Sequence, residues 1–259
     1  MVKEQESSSA AAGELNILLY HSISHSSGPT SISPDTFKNQ LETLKACGYQ
    51  AISLDALRSW HAGEKALPAR SVLITFDDGF ADFAESAFPI LKVHHYTATV
   101  FLPSGRMGGT EKWEGIDCIA PRRLMSWSQV TDLAKENIDF GGHSVTHADL
   151  TKLSLDELQC EVRQCREEIE QRIGHSPVAF ATPYGRCRRR ERNEIRKWFD
   201  LSLGTKLSRA SRHCDRYDLP RIEMHYFRNP KRWREFLDGR GDLYFFVRRL
   251  LRSLKKPIL

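Results

Sequence analysis

Short apolar runs of strand length alternate with helix-patterned segments along most of this chain. Three runs are apolar enough to be strands buried on both faces, at residues 16–20, 71–76 and 98–102. One helix pattern begins at Ser33, which is followed by proline, and another begins at Ser154, where Glu157 can complete a capping box. Strands that alternate with helices predict an α/β fold with a parallel sheet.

Composition narrows the class of protein further. The chain has 259 residues, 40% hydrophobic and 27% charged, which is typical of a globular protein and suits one large domain. Every apolar stretch is shorter than the roughly 18 residues that a membrane-spanning helix needs. The net charge of +5 is too small to indicate nucleic-acid binding, so we expect no nucleic-acid partner.

The cysteines and the N-terminal residues bear on the cellular compartment. None of the six cysteines belongs to a C-x-x-C pair, so we expect reduced thiols rather than a thiolate zinc site or a disulfide scaffold. Residues 1–13 are polar, lack the apolar core of a signal peptide and are expected to form a disordered tail. The sequence therefore predicts a cytoplasmic protein with no signal peptide or transmembrane segment.

Basic residues concentrate in two segments of the C-terminal third. Residues 186–197 contain seven of them, and residues 228–256 contain ten basic and three acidic residues with several apolar ones. We expect residues 228–259 to form a basic amphipathic helical extension of a domain that spans residues 14–227. Such a helix favours peripheral contact with the inner face of a membrane, with a solvated basic face as the simpler alternative.

Two short motifs carry side chains that can bind metal ions. Residues 75–79, TFDDG, place Asp77 and Asp78 after a buried strand, where adjacent carboxylates repel each other unless a cation or proton is present. Residues 143–147, HSVTH, hold two histidines that would face the same way on a helix. A helix cap explains the first motif equally well, and coincidence explains the second. Two histidines and one carboxylate would leave coordination positions open for catalysis.

Two more segments follow predicted strands. Residues 180–185, FATPYG, run from a strand into a turn that exposes a backbone N–H group, and residues 18–23, LLYHSI, place His21 at the end of the first strand. In α/β proteins, ligands and catalytic groups gather at the carboxyl ends of the strands. These positions favour a functional site, although each segment alone also fits an ordinary loop.

Together the four motifs resemble those of the polysaccharide deacetylase family, the group with NodB homology and carbohydrate esterase family 4 activity. The TFDDG and HSVTH pair is the specific part, FATPYG supports it, and the resemblance covers about residues 16–221. LLYHSI is similar to the opening of the branch that contains poly-N-acetylglucosamine deacetylases. The resemblance implies a distorted (β/α)7 barrel.

The resemblance also implies a role for each motif residue. Asp78, His143 and His147 would hold one divalent metal ion, most often zinc, with cobalt, nickel or manganese as alternatives. Asp77 would be the general base that takes a proton from the attacking water. The backbone N–H of Tyr184 would stabilise the oxyanion of the tetrahedral intermediate.

Two roles stay open because the chain departs from the family pattern. Ala181 and Thr182 stand where many members carry an arginine, so Arg221 is a candidate to orient the base, with a surface salt bridge as its alternative. His21 would be the general acid that protonates the departing amine, because this branch draws that histidine from its first strand. His225 is its rival.

The implied reaction is the removal of N-acetyl groups from hexosamine units of a polysaccharide or glycan precursor. A Lewis-acid metal polarises the amide carbonyl and lowers the pKa of water, while a base and an acid act on opposite sides of the scissile bond. A deacetylase or deformylase of a lipid-linked sugar would use the same site. A glycan-binding pseudoenzyme without turnover is the alternative from another class.

Overall fold

Seven parallel strands close into a barrel in the computed structural model of the chain, which describes residues 13–113 and 120–254. The strands are β1 (Glu14–Tyr20), β2 (Ser71–Phe76), β3 (Thr99–Leu102), β4 (Asp139–Gly142), β5 (Ala179–Ala181), β6 (Leu201–Leu207) and β7 (Leu219–Glu223). Each strand pairs in parallel with the next one in the chain, and β7 pairs with β1. The expected seven-stranded (β/α) barrel is therefore confirmed.

Short strands of two residues lie at the margins of the barrel. Gln50–Ala51 pairs in parallel with β2, and Ala210–Ser211 pairs antiparallel with β1. Ser22–Ile23 and Ser31–Ile32 form a separate parallel pair. Because all seven barrel strands are parallel, their carboxyl ends lie together at one end of the barrel, where chemically active groups usually gather.

Helices connect most of the barrel strands. They are α1 (Pro34–Ala46), α2 (Leu54–His61), α3 (Phe88–His94), α4 (Trp127–Ala134), α5 (Leu155–Ile173), α6 (Arg189–Ile195), α7 (Pro230–Leu237) and α8 (Asp242–Leu254). The two helix starts predicted from the sequence are confirmed. Ser33 Oγ accepts a hydrogen bond from the Thr36 N–H group, and Ser154 and Glu157 form a complete capping box.

Neighbouring residues of a barrel strand contribute to different parts of the hydrophobic core. Leu18 and Ile74 pack in a cluster that includes Phe37 of α1, whereas Ile17 and Leu73 belong to a second cluster. This division follows from the alternation of side chains along a strand. The strands are buried on both faces, which explains why they appear in the sequence as continuous apolar runs.

The basic C-terminal segment forms two helices instead of the single helix expected. The chain turns between α7 and α8, where Gly239 has a φ of 75° and a side chain on Gly241 would collide with the backbone of Phe236. Trp233 and Phe236 of α7 are buried in the main core. The first part of the segment is therefore integral to the hydrophobic core.

Parts of two sequence predictions lie outside the described residues. Residues 1–12 of the expected tail and residues 255–259 of the C-terminal extension fall there. The domain boundaries before residue 14 and after residue 227 stay predictions. Among the helices that are described, none combines the length and the apolar character that crossing a bilayer requires.

Candidate metal centre and active site

The side chains singled out in the sequence follow barrel strands at the carboxyl end. β1 is followed by His21, β2 by Asp77, and β4 by His143. β5 leads into a short turn, Pro183–Gly185, that contains Tyr184. Contacts of Asp78 with His143 and His147, and of His147 with Tyr184, join the segments after β2, β4 and β5 in one site.

Asp78, His143 and His147 form a buried cluster of potential metal ligands. The Nε2 atom of His143 lies 3.3 Å from Asp78 Oδ1, and the Nε2 atom of His147 lies 3.2 Å from the same oxygen. One ligand atom from each residue lies within 4.8 Å of the other two. Two imidazole nitrogens and one carboxylate oxygen form a donor set typical of catalytic zinc sites, so these residues fit a divalent metal ion.

The two histidines of the HSVTH motif lie on a loop and not on the helix expected from their spacing. Residues 143–149 form a loop after β4, and both Ser144 and His147 adopt left-handed backbone conformations, with φ of 63° and 64°. Asp78 and Tyr184 share this region of φ, at 72° and 60°. Non-glycine residues in this conformation are strained, and such strain is common at functional sites. The loop brings the two imidazoles to one carboxylate without helical periodicity.

Glu161, a residue of α5, holds this loop in place. Its carboxylate accepts hydrogen bonds from the backbone N–H groups of Val145 and Thr146, at 2.7 and 2.9 Å, and from the Thr146 hydroxyl at 2.7 Å. Each hydrogen bond to a charged group contributes about 1.5–3 kcal/mol, enough to offset backbone strain of about 1–3 kcal/mol per residue. Because Glu161 lies on α5, outside the motif, no local pattern marks it.

A hydrogen bond to β5 orients His143. Its Nδ1–H group donates to the carbonyl oxygen of Ala181 at 2.7 Å, which leaves Nε2 to face Asp78. Burial alone would lower the pKa of His143, but the hydrogen bond to Asp78 and the charge of Asp77 outweigh burial and raise it. Burial lowers the pKa of His147.

Asp78 is held in its ionised form. Burial would raise the pKa of its carboxyl group, but hydrogen bonds from His143 and His147 outweigh burial and hold that pKa well below the usual value. An ionised carboxylate is the form that binds metal ions.

Asp77 forms a buried ion pair with Arg221. The two Nη atoms of Arg221 donate to the two carboxylate oxygens at 2.7 Å each, and Arg221 Nε donates to the Gly204 carbonyl oxygen at 2.8 Å. Arg221 is 1% exposed, so the alternative of a surface salt bridge is wrong. Burial would raise the pKa of Asp77, but the adjacent Arg221 guanidinium outweighs burial and lowers it. The pair therefore fixes both the charge and the orientation of this carboxylate.

The two candidate acids follow different barrel strands. His21 follows β1, and its Nδ1 atom is buried with no hydrogen-bond partner among the described residues. His225 lies in the turn after β7, where burial, Arg228 and Arg248 lower its pKa.

Comparison with known proteins agrees with this fold. The family model described as "Polysaccharide deacetylase" matches residues 64–198, about half of the chain. The chain therefore belongs to the polysaccharide deacetylase family, a family of hydrolases, and the resemblance stated from its motifs is confirmed.

Individual relatives are identical to this chain at about a quarter of the aligned positions. The putative polysaccharide deacetylase YxkH of Bacillus subtilis is 24% identical over 82% of this chain and 71% of its own length. The poly-β-1,6-N-acetyl-D-glucosamine N-deacetylase of Escherichia coli K12 is 25% identical over 70% of this chain, which matches 32% of that protein. The chain thus corresponds to about a third of the E. coli enzyme.

Solved structures share the barrel. The deacetylase PplD of Streptococcus pyogenes, solved with acetate, superposes with a TM-score of 0.71 and 25% identity, covering 81% of this chain and 91% of that one. IcaB from Ammonifex degensii superposes with a TM-score of 0.72 and 23% identity, covering 88% and 97%. Because its identity to this chain is only 23%, the similarity to IcaB supports the fold alone.

Proposed function

We propose that this chain is a metal-dependent deacetylase that removes N-acetyl groups from hexosamine units of a polysaccharide or glycan precursor. The observation that carries the proposal is the buried Asp78–His143–His147 cluster, with the paired carboxylate of Asp77 beside it in sequence. The names of the curated relatives support this substrate class. Zinc suits the donor set best, with cobalt, nickel or manganese as alternatives.

The residues of the chain divide the chemistry among them. A divalent metal held by Asp78, His143 and His147 would polarise the acetyl carbonyl and lower the pKa of water to about 7. Asp77 accepts the proton of the attacking water, and Arg221 keeps its carboxylate oriented and ionised before the attack. We assign oxyanion stabilisation to the backbone N–H group of Tyr184, whose left-handed conformation sets the direction of that peptide.

We propose His21 as the general acid that protonates the departing amine. Its position after β1, at the end of the barrel that carries Asp77 and His143, supports this role. Burial and the charges of Arg228 and Arg248 lower the pKa of His225, which disfavours the protonated form that a general acid needs. His21→Asn should lower kcat by about 10²-fold to 10⁴-fold, because that range is typical for a lost acid or base. His225→Asn is the matched variant. A large loss of kcat in His225→Asn with normal turnover in His21→Asn would reverse the assignment.

Acetate release is the measurement that tests the proposed reaction. We expect zinc-loaded protein to release acetate from N-acetylglucosamine oligomers, to lose this activity after chelation and to regain it when zinc is restored. O-acetylated sugars and a lipid-linked N-acetyl sugar complete the panel, because the same site would accept either substrate. Activity that is indifferent to the chelator would contradict the metal mechanism. Zinc binding without acetate release from any substrate would favour a glycan-binding pseudoenzyme.

We also propose that α8 makes peripheral contact with an anionic membrane surface, at the inner face of a membrane if the chain is cytoplasmic. Leu243, Phe246 and Val247 lie on one helix face and are 76%, 51% and 42% exposed, and the exposed Arg249 packs its guanidinium over the Phe246 ring. Basic and apolar groups on one exposed face are typical of interfacial helices.

The cysteines bear on the compartment in which the chain works. The five described cysteines, all unpaired, support a reducing compartment.

Flotation with vesicles of phosphatidylcholine and phosphatidylglycerol tests the membrane contact. We expect the full chain to float with these vesicles and the triple variant L243S/F246S/V247S to stay in the soluble fraction. Point variants are preferable to truncation, because a chain cut before α7 would lose the core residue Trp233. V93S is the matched control, since Val93 is 71% exposed on α3. Equal flotation of the triple variant and the wild type would exclude the proposed role of α8.

A further inference from the structure

The two histidines of the metal cluster are held in different ways. His143 is oriented by the hydrogen bond from its Nδ1 to Ala181, as is usual for metal-binding imidazoles. The Nδ1 atom of His147 is buried and has no hydrogen-bond partner among the described residues. Within the described part of the chain, the plane of the His147 ring is therefore held by contacts other than a hydrogen bond at Nδ1.

Aromatic rings supply that restraint. The Trp113 ring stacks on the His147 ring, with 4.1 Å between centroids and 28° between planes. The Tyr184 ring contacts His147 edge-on, at 4.8 Å and 71°. Aromatic pairs with such geometries contribute about 0.5–1.5 kcal/mol beyond the effect of burial. The stack restricts tilting of the imidazole plane, and in this orientation Nε2 faces Asp78 Oδ1 at 3.2 Å.

Trp113 is itself packed against apolar neighbours. It is 7% exposed and clusters with Phe80 and Leu124, apart from the main core. Nearby, Arg122 lies over the Phe80 ring at 3.9 Å and forms a two-pronged ion pair with Glu111, at 2.6 and 2.7 Å. These contacts anchor the segment that carries Trp113 next to the metal cluster.

We propose that Trp113 is a positioning residue that sets the metal affinity of the site by fixing the ring plane of His147. The proposal rests on the proposed metal-dependent function. It adds a determinant of metal affinity that lies outside the four sequence motifs. Stacking replaces the hydrogen bond that usually orients a metal-binding imidazole. Without the flat ring at position 113, His147 is still present but its imidazole is free to rotate. Metal binding must then order the imidazole, and the entropic cost of doing so weakens metal affinity.

Zinc affinity of the full-length apoprotein, measured by competition with a chromophoric chelator, tests this proposal. We expect Trp113→Leu to weaken zinc binding by about tenfold or more, as is typical when a residue that orients a metal ligand is lost. Trp113→Phe retains a ring for stacking and should recover most of the affinity. The visible absorption spectrum of the cobalt-loaded protein should change in Trp113→Leu and be largely restored in Trp113→Phe, because it reports the geometry of the ligands.

Trp60→Phe is the matched control, since Trp60 is also buried but belongs to the core cluster around α2. It should leave zinc affinity and the cobalt spectrum unchanged. Wild-type affinity and an unchanged spectrum in Trp113→Leu would overturn the proposal. Failure of the wild type to bind metal would instead overturn the proposed function. If Trp113→Leu does not fold, proton NMR of the wild type decides, because stacking shifts the ring protons of His147 upfield and normal shifts would contradict it.

Discussion

Asp77→Asn is expected to lower the rate of deacetylation by about 10²-fold to 10⁴-fold, the usual contribution of a general base. The amide cannot accept the proton of the attacking water at neutral pH, whereas Asp77 is kept ionised by Arg221. The three proposed metal ligands are unchanged by this substitution. Zinc affinity should therefore stay within about threefold of the wild type, well below the effect of losing a residue that orients a ligand.

The measurement is single-turnover acetate release by the zinc-loaded variant, with zinc content determined on the same sample. Urea unfolding must accompany it, because the substitution also removes the charge that faces the buried Arg221. Asp139→Asn is the control, since Asp139 begins β4 at the opposite end of the barrel and accepts a hydrogen bond from the Leu54 N–H. A folded, zinc-loaded Asp77→Asn protein with wild-type turnover would refute the assignment of the base.

Arg221→Met is expected to lower the free energy of unfolding by about 3–5 kcal/mol, as for other buried ion pairs that lose one partner. The substitution leaves the Asp77 carboxylate buried without its two hydrogen bonds from the guanidinium, and it leaves the Gly204 carbonyl without the bond from Nε. The double variant Arg221→Met with Asp77→Asn removes the unpaired charge. It should be more stable than Arg221→Met alone.

The stability difference between the wild type and Arg221→Met should depend on pH. Arg221 lowers the pKa of Asp77 in the folded wild type, so the stabilisation from this pair is present above the unfolded pKa of about 3.9 and is lost as the pH falls through the folded value. In Arg221→Met, burial without the guanidinium should raise the pKa of Asp77. The free-energy penalty for keeping this buried carboxylate ionised should then grow as the pH rises above the unfolded pKa. The difference in the free energy of unfolding between the wild type and Arg221→Met should therefore be large at pH 7 and small below pH 4.

Urea unfolding of the two single variants and the double variant, repeated across this pH range, gives the coupling energy between Asp77 and Arg221. Arg209→Met is a useful comparison, because Arg209 also forms ion pairs, with Glu14 and Asp242, but is partly exposed. Exposed ion pairs contribute about 0–1 kcal/mol. A loss in Arg221→Met no larger than that in Arg209→Met, or a gap that does not change with pH, would contradict a buried pair.

Local patterns predict the class of fold well, because the signals act over a few residues. Continuous apolar runs predict the buried strands β1, β2 and β3, and the Ser154–Glu157 pair predicts the start of α5. The number of barrel strands comes from the family resemblance, since closure depends on pairing between β1 and β7 at opposite ends of the chain. The C-terminal extension is predicted as one helix because composition does not reveal the turn at Gly239.

The sequence by itself determined which chemical groups this protein brings to its site: adjacent carboxylates after one strand, two histidines after another, and further candidates at strand ends. Tertiary structure alone decided which of them meet and how they are held. Arg221 reaches Asp77 from 144 positions away, Glu161 supports the histidine loop from a helix, and Trp113 stacks on His147 from a third segment. These contacts form because closing the barrel brings together segments that are distant in sequence. No periodicity along the chain encodes which distant segments meet.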